Sequence, residues 1–108
     1  MISPLEGRRL LSPETVATLV AGRASGLDRV FCVPTRFSLG FMLPGGPLWP
    51  DFGRPAFGHI GSAGALAFAD PEREIAFAFL PNQRKSIYEV PDRRAQALVD
   101  ETYRILEA

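Results

Sequence analysis

The 108-residue sequence lacks several features that would point to common classes of protein. It holds a single Cys, Cys32, and a single His, His59, which excludes an intrachain disulfide, a thiolate metal site and a site built on paired histidines. Its acidic and basic residues cancel to a formal net charge of +0, so no overall field gathers nucleic acid or an anionic membrane. No apolar run has the roughly 18 residues of a membrane-spanning helix or the pattern of a signal peptide. We therefore expect no metal or other cofactor, no nucleic acid and no membrane as partners, and take the cytoplasm as the default location.

The composition is typical of one small globular unit. With 46% hydrophobic and 22% charged residues, the chain is neither disordered nor membrane-spanning, and its length allows one modest core. We predict a single domain over residues 1–108, and the motifs described below indicate that it is a partial one. Cys32 lies in the apolar run 30–33, which favours a buried and inert thiol.

The first half of the chain predicts one helix, one strand and a long loop. Ser12-Pro13-Glu14 supplies the cap, the early proline and the first-turn acid of a helix, and the apolar residues that follow recur at helical spacing. Residues 23–28 are interpreted as a loop, because small residues interrupt any period. The alternation over 37–43 predicts a strand. The loop that follows carries Trp49, for which packing on an apolar surface is favoured over the rim of a pocket.

The second half predicts a meander of short strands and a closing helix. Bulky and small residues alternate over 65–69 and 75–80, which predicts a hairpin across the charged turn 70–74, with a shorter strand at 56–61. Such a sheet has a bulky face and a slim face of alanines, and the slim face would allow a helix to approach closely. Asp92 then caps an amphipathic helix. Its expected buried stripe comprises Ala95, Leu98, Val99, Thr102, Ile105 and Leu106.

These elements define the expected fold class. It is α+β, with a mainly antiparallel sheet of three to four strands, an N-terminal helix and a C-terminal amphipathic helix packed on it.

No complete hydrolytic nucleophile is present in the sequence. Ser62 lies between Gly61 and Gly64, but the nucleophile elbow G-x-S-x-G needs a glycine where Ile60 stands. No Ser is followed three residues later by Lys, so the S-x-x-K pair is absent as well. Glu72 and Glu74 lie in the predicted turn, where solvated carboxylates are a better interpretation than acid–base catalysis.

His59 is then the titratable residue of most interest, and two interpretations of it stay open. A single His at a strand end is commonly a partly buried, hydrogen-bonded side chain with no further role. The stretch Gly58–Gly64 favours a site, because glycines in a strand mark a bulge or a backbone that another group approaches closely. A backbone N–H exposed there, such as that of Ser62, is able to act as an oxyanion donor.

An ordered series of motifs runs from this stretch to the C-terminus. It consists of G-H-I-G-S-A-G over 58–64, a strand ending F-A-D-P-E at 68–72, a strand over 75–80 closed by Asn82, and the final Y-R-I-L-E at 103–107. The series resembles the C-terminal end of serine β-lactamase-like hydrolases, and more closely the esterase-like relatives of class C β-lactamases. Because residues 37–43 are similar to a strand upstream in that family, the likeness covers roughly residues 10–108.

The resemblance implies roles for the residues that fall on the family's third motif, which is usually K-T-G or a variant such as H-x-G. His59 would face the reacting ester or amide, Ile60 and Gly61 would line the substrate, and the Ser62 N–H would form half of the oxyanion hole. His59 and Ile60 replace an ammonium and a hydroxyl suited to a β-lactam carboxylate, so carboxylesters are expected to fit better than penicillins. The family's Ser-x-x-Lys nucleophile and its Tyr-containing second motif have no counterpart in these residues.

Two hypotheses about function follow. In the first, the chain is the C-terminal segment of a β-lactamase-like serine hydrolase of carboxylesterase type. It supplies one wall of the site, and it acts on a small ester or amide only when a missing segment completes it. In the second, the chain is a non-catalytic α+β module that forms a homo-oligomer or binds a partner protein. Loss of the family's N-terminal elements would leave a sheet edge and an apolar face uncovered, and such surfaces seek partners.

Overall fold

The computed structural model describes residues 10–49, 55–85 and 90–108, and within these ranges it contains two helices and five strands. In chain order they are α1 (Pro13–Val20), β1 (Ala24–Leu27), β2 (Pro34–Phe37), β3 (Phe57–Ile60), β4 (Leu66–Asp70), β5 (Ile75–Phe79) and α2 (Arg93–Leu106). Strands β1 and β2 form one antiparallel pair, and β3, β4 and β5 form an antiparallel sheet in that order. Isolated bridges from Met42 to Phe37 and Gly58 connect the two sheets. The α+β class is confirmed.

Helix α1 begins where the sequence predicts. The Ser12 side chain accepts a hydrogen bond from the Thr15 N–H at 3.1 Å, and Pro13 occupies the first turn. None of the helix residues is buried. Its link to the rest of the chain includes a long hydrogen bond of 3.4 Å, which the Leu39 N–H donates to the Leu19 carbonyl. The helix therefore lies at the periphery, where tertiary packing gives it little support.

Two assignments in the first half are wrong. Residues 23–28 are not a loop, because they contain β1, whose partner β2 lies seven residues beyond it at Pro34. The strand predicted over 37–43 ends at Phe37, where the chain turns and the Ser38 N–H donates to the Phe41 carbonyl at 2.9 Å. The alternation of residue types continued through this turn, so periodicity alone gave no sign of the break.

Cys32 is exposed, contrary to the prediction. The Asp28 carboxylate accepts the N–H groups of Val30 and Phe31 at 2.8 and 2.9 Å and so bends the chain into a surface turn. These two backbone hydrogen bonds hold the pKa of Asp28 below its usual value. The apolar run 30–33 follows this turn, and Val30 at its start remains 86% exposed.

The β3–β4–β5 sheet has two unlike faces, as predicted. One, called the bulky face, carries the large side chains of Ile60, Leu66, Phe68, Ile75, Phe77 and Phe79. The other, called the alanine face, carries Phe57, His59, Ala67, Ala69, Ala76 and Ala78. Helix α2 packs on the bulky face, so the expected close approach of a helix to the slim face does not occur among the described residues.

Aromatic rings fill the space between the bulky face and α2. Tyr103 lies nearly parallel to Phe68, with ring centroids 6.4 Å apart, and Phe68 in turn stacks on Phe77 at 5.2 Å. Trp49 meets the Phe68 ring edge-on at 6.4 Å and is 2% exposed, which confirms its assignment to packing.

The buried stripe of α2 differs from the predicted one. It is formed by residues four apart, Ala95, Val99 and Tyr103. Leu98, Ile105 and Leu106, which the prediction placed inside, are 48%, 60% and 49% exposed. The helix is rotated because Tyr103 has a polar partner in the interior.

That partner is Asp70, at the start of the turn predicted over 70–74. It is 0% exposed and accepts the Tyr103 hydroxyl hydrogen at 2.6 Å. It also accepts the N–H groups of Glu72 and Arg73 at 3.0 and 3.3 Å, which shape the β4–β5 turn. One carboxylate therefore closes the hairpin and fixes it to the last helix.

We expect Tyr103→Phe to lower the free energy of unfolding by about 1–3 kcal/mol, since it leaves a buried carboxylate short of one donor. Urea unfolding at pH 7 would measure the loss. Thr102→Val is the matched control, because the Thr102 hydroxyl donates only to the Leu98 carbonyl of its own helix, at 2.7 Å. Equal losses in the two variants would contradict a special role for the Tyr103–Asp70 bond.

Candidate functional site

The stretch singled out in the sequence forms the tight connection between β3 and β4. The Gly64 N–H donates to the Gly61 carbonyl at 3.0 Å, and the Gly61 N–H donates to the Ala65 carbonyl at 2.9 Å. Gly64 has a φ of +94°, in the left-handed region that glycine adopts most readily. We call this four-residue segment the Gly61–Gly64 turn.

Ser62 occupies the second position of the Gly61–Gly64 turn. The residue is exposed, and no acceptor within the described ranges takes its N–H. A backbone donor that is fixed by a closed turn and has no internal partner is suited to bind a negatively charged oxygen.

His59 stands on the alanine face, one residue before the end of β3, and is exposed. Its Nδ1 lies 2.6 Å from the Ile60 carbonyl oxygen. Because a carbonyl only accepts, Nδ1 must carry the hydrogen, and the Nε2 of the neutral ring is left with its lone pair. The ring also lies 5.8 Å from that of Phe37, measured between centroids. The imidazole is thus oriented on one side and open on the other.

The residues beside His59 are small. His59 is directly opposite Ala67 on β4, and Ala67 is opposite Ala78 on β5. Both alanines are exposed. They form a shallow apolar surface next to the imidazole, which we call the alanine floor.

Ile60 is separated from the other candidate residues. It points to the bulky face, as the alternation of a strand requires, and packs against the core. His59, Gly61 and Ser62 thus follow one another at the end of β3, whereas the Ile60 side chain lies on the opposite face of the sheet from His59.

Comparison with known proteins places the chain in a family. The family model described as Beta-lactamase matches residues 2–101. The chain belongs to the beta-lactamase family. It is also similar to Esterase/beta-lactamase LipL of Mycobacterium tuberculosis (strain ATCC 25618 / H37Rv), with 38% identity over 81 residues. That match covers 73% of this chain and 18% of the relative, so the chain spans less than a fifth of the relative's length.

These matches confirm the resemblance to beta-lactamase-like hydrolases that the motifs from Gly58 onward indicated. No helix in the described parts of this beta-lactamase family member is both long and apolar enough to cross a membrane.

Glu72 and Glu74 are exposed, as predicted, and Glu72 pairs with Arg73 at 3.3 Å.

Gly58 sets the spacing between the first two strands of the site. A Cβ added there would overlap the Ala67 carbonyl oxygen and come within 2.7 Å of the Phe68 Cα. The Gly58 backbone is also bonded to Met42 on its other side, at 2.7 and 3.1 Å. Only glycine allows β3 to lie this close to β4 at that position.

Asp92 caps α2, as predicted, and it also contacts the Gly61–Gly64 turn, which was not predicted from the sequence. The carboxylate accepts the N–H groups of Arg94 and Ala95 at 2.8 and 3.4 Å, and it also accepts the Arg94 Nε and Nη2 groups at 3.1 and 2.8 Å. A Cβ on Gly64 would overlap this carboxylate. The sequence signal for this contact was the spacing Asp-x-Arg at a helix start, together with a glycine turn elsewhere in the sequence.

The Arg94 side chain is the main cause of the lowered pKa of Asp92, which falls to about 2 from an ordinary 3.8. Backbone donors of α2 add to the effect, and burial opposes it. Because the folded protein prefers the ionised carboxylate, this interaction stabilises the fold fully above pH 3.8 and is lost as the pH falls through about 2.

We therefore expect Asp92→Asn to lower the free energy of unfolding by roughly 1–2 kcal/mol at pH 7, by removing a charge-assisted hydrogen bond. The difference between wild type and variant should shrink as the pH falls from 3.8 towards about 2. Urea unfolding between pH 7 and pH 2 measures it. Glu101→Gln, at an exposed pair on the same helix, is the control and should have little effect. A gap that stays constant down to pH 2 would argue against the ionised carboxylate as its source.

Proposed function

We propose that this chain supplies the H-x-G strand and the oxyanion side of a beta-lactamase-like serine hydrolase site of carboxylesterase type. The observation that carries the proposal is that an exposed, oriented His59 and the Ser62 N–H, for which the described residues supply no acceptor, lie at the same end of β3. In this proposal residues 1–108 are one partial domain. The nucleophile comes from protein outside these residues, because the sequence has no Ser-x-x-Lys pair.

The proposed chemistry assigns each group one task. The Ser62 N–H donates to the oxygen of the ester carbonyl, and its bond strengthens as negative charge develops there. When the ring is neutral, the His59 Nε2 accepts a hydrogen bond from a substrate or solvent hydroxyl. When the ring is protonated, it donates a hydrogen bond to the leaving oxygen. The acyl or alcohol part of the substrate lies over the alanine floor.

The proposed substrate class follows from the two side chains that differ from the family's usual third motif. In the family resemblance, His59 stands where an ammonium is usual and Ile60 where a hydroxyl is usual. The Ile60 side chain faces the core, so it offers nothing in place of that hydroxyl. A site without a fixed cation and without the hydroxyl holds a β-lactam carboxylate poorly, which favours small carboxylesters over penicillins.

A second candidate function is a non-catalytic module that self-associates or binds a partner protein. The observation that favours it is the exposure of Leu98, Ile105 and Leu106 on α2, which turn apolar surface to the outside. Light scattering of the purified chain distinguishes the cases. A discrete soluble dimer favours the module, whereas polydisperse aggregate favours a segment that needs the rest of a hydrolase.

We expect the folded chain to form no covalent adduct with a fluorophosphonate that traps activated serines. It should also hydrolyse a p-nitrophenyl ester no faster than His59→Ala does, since binding and one oxyanion donor give little rate without a nucleophile. Intact-mass spectrometry and a release assay measure the two quantities. A stoichiometric adduct on Ser62, or turnover that is lost with His59→Ala, would show that the nucleophile lies within these residues.

The site itself is tested with methyl phenylphosphonate, a monoanion with the tetrahedral oxygens of an ester-hydrolysis intermediate. We expect weak, roughly millimolar binding that shifts the amide signals of Gly61 and Ser62 in ¹H–¹⁵N spectra. Ala67→Leu should abolish these shifts by filling the alanine floor beside His59. Ala76→Leu is the matched control, because Ala76 is also exposed on the alanine face but pairs with Ala69, away from His59. Shifts elsewhere in the chain, or equal loss in both variants, would contradict the proposed site.

A further inference from the structure

We propose that Asp92 and Arg94, at the start of α2, are positioning residues for the Gly61–Gly64 turn and so for the Ser62 N–H. The catalytic meaning of this inference rests on the proposed function, whereas the positioning itself is a property of the fold. The two residues are far from the turn in sequence, and the family motif does not include them.

The first step of the argument is direct contact. Gly64 has no room for a side chain, because a Cβ there would overlap the Asp92 Oδ2, lie 3.0 Å from its Cγ and lie 3.3 Å from the Arg94 Nη2. Real Cβ atoms do not approach oxygen so closely. The turn therefore rests on the ion pair and cannot move towards α2 unless the pair moves.

The second step is that the pair is rigid. The Asp92 side chain is 3% exposed. Its oxygens are held by two nitrogens of the Arg94 guanidinium, Nε and Nη2, and by the backbone at the start of α2. Fork-shaped pairing of this kind fixes direction as well as distance. The same guanidinium lies over the ring of Phe79, 5.7 Å from its centroid, and Phe79 is opposite Leu66 at the start of β4. The pair thus contacts both the turn and β5, the neighbour of the strand that leaves the turn.

The third step concerns charge. A buried carboxylate against the Gly61–Gly64 turn would repel the negative oxygen that the Ser62 N–H is proposed to bind. Arg94 cancels that charge while it holds the carboxylate in place. Loss of Arg94 should therefore harm oxyanion binding in two ways, through a looser turn and through an uncompensated negative charge.

A simple helix-capping role makes a different prediction. If Asp92 did no more than satisfy the first N–H groups of α2, replacing Arg94 would leave the turn unchanged. Under that role, replacing Arg94 and removing the cap of another helix, such as Ser12 of α1, would both leave the Ser62 and Gly64 amide signals unchanged. The two roles are separable because the guanidinium reaches the carboxylate through its side chain and is not needed for the cap.

The test uses the ¹⁵N-labelled 108-residue chain. In Arg94→Gln we expect the Ser62 and Gly64 amide signals to shift, and the Gly64 N–H, which is bonded to the Gly61 carbonyl, to exchange about tenfold faster or more. Arg94→Lys keeps the charge without the fork and should restore part of the wild-type spectrum. Ser12→Ala and Arg104→Gln, which alter a cap and an ion pair away from the turn, should leave both signals in place.

Each outcome either supports or refutes the positioning role of Asp92 and Arg94. Unchanged Ser62 and Gly64 signals in Arg94→Gln, or shifts of equal size in the two control variants, would overturn the inference. Should Arg94→Gln fail to fold, Asp92→Asn provides the same readout, because it keeps the cap acceptor and weakens the pair. Methyl phenylphosphonate binding separates this inference from the proposed function. Failure of wild type to bind it refutes the proposed site, while the amide signals still decide whether the pair positions the turn.

Discussion

The hydrogen bond between the Tyr103 hydroxyl and the fully buried Asp70 carboxylate determines how the two halves of the core meet. A buried carboxylate without donors is costly, so the turn after β4 and the last helix must both adopt positions that supply them. Once the hydroxyl is there, the Tyr103 ring is stacked on Phe68 and α2 is fixed on the bulky face. The exposure of Leu98 and Ile105 on the outer side of the helix is the consequence of that rotation.

Covering one face of the sheet leaves the other open, and the candidate site lies on the open one. Strand alternation puts His59 and Ala67 on the face opposite to the core, and the alanines leave space that larger side chains would fill. Gly58 brings the strands close together behind them. The candidate site is therefore a product of the same two-faced pattern that builds the core, with small residues where the proposed substrate would lie and large ones where α2 packs.

Much of this was predictable from sequence, and the failures have identifiable causes. The helices and the β3–β4–β5 meander carry local signals, namely caps, turns and alternation, and these were assigned correctly. The β1–β2 pair was missed because its short strands have little pattern of their own and gain stability from each other. The roles of Asp70 and Arg94 depend on partners distant in sequence, which no local period reports. The resemblance implied that Ile60 lines the substrate, whereas strand alternation places its side chain on the face opposite to His59.

The glycine-rich turn and the ion pair beneath it indicate how a wall of a hydrolase site can be formed before its nucleophile arrives. The Ser62 N–H is directed by a turn that closes on itself through Gly61 and Gly64, and the His59 ring is oriented by its own neighbour's carbonyl. Neither group depends on substrate or on another catalytic side chain for its position. Preorganised donors cost no rearrangement at the moment of reaction, which is the condition under which oxyanion stabilisation is largest. Under the proposed function, the segment that supplies the nucleophile, its base and the second donor would meet one oxyanion donor that the fold has already positioned.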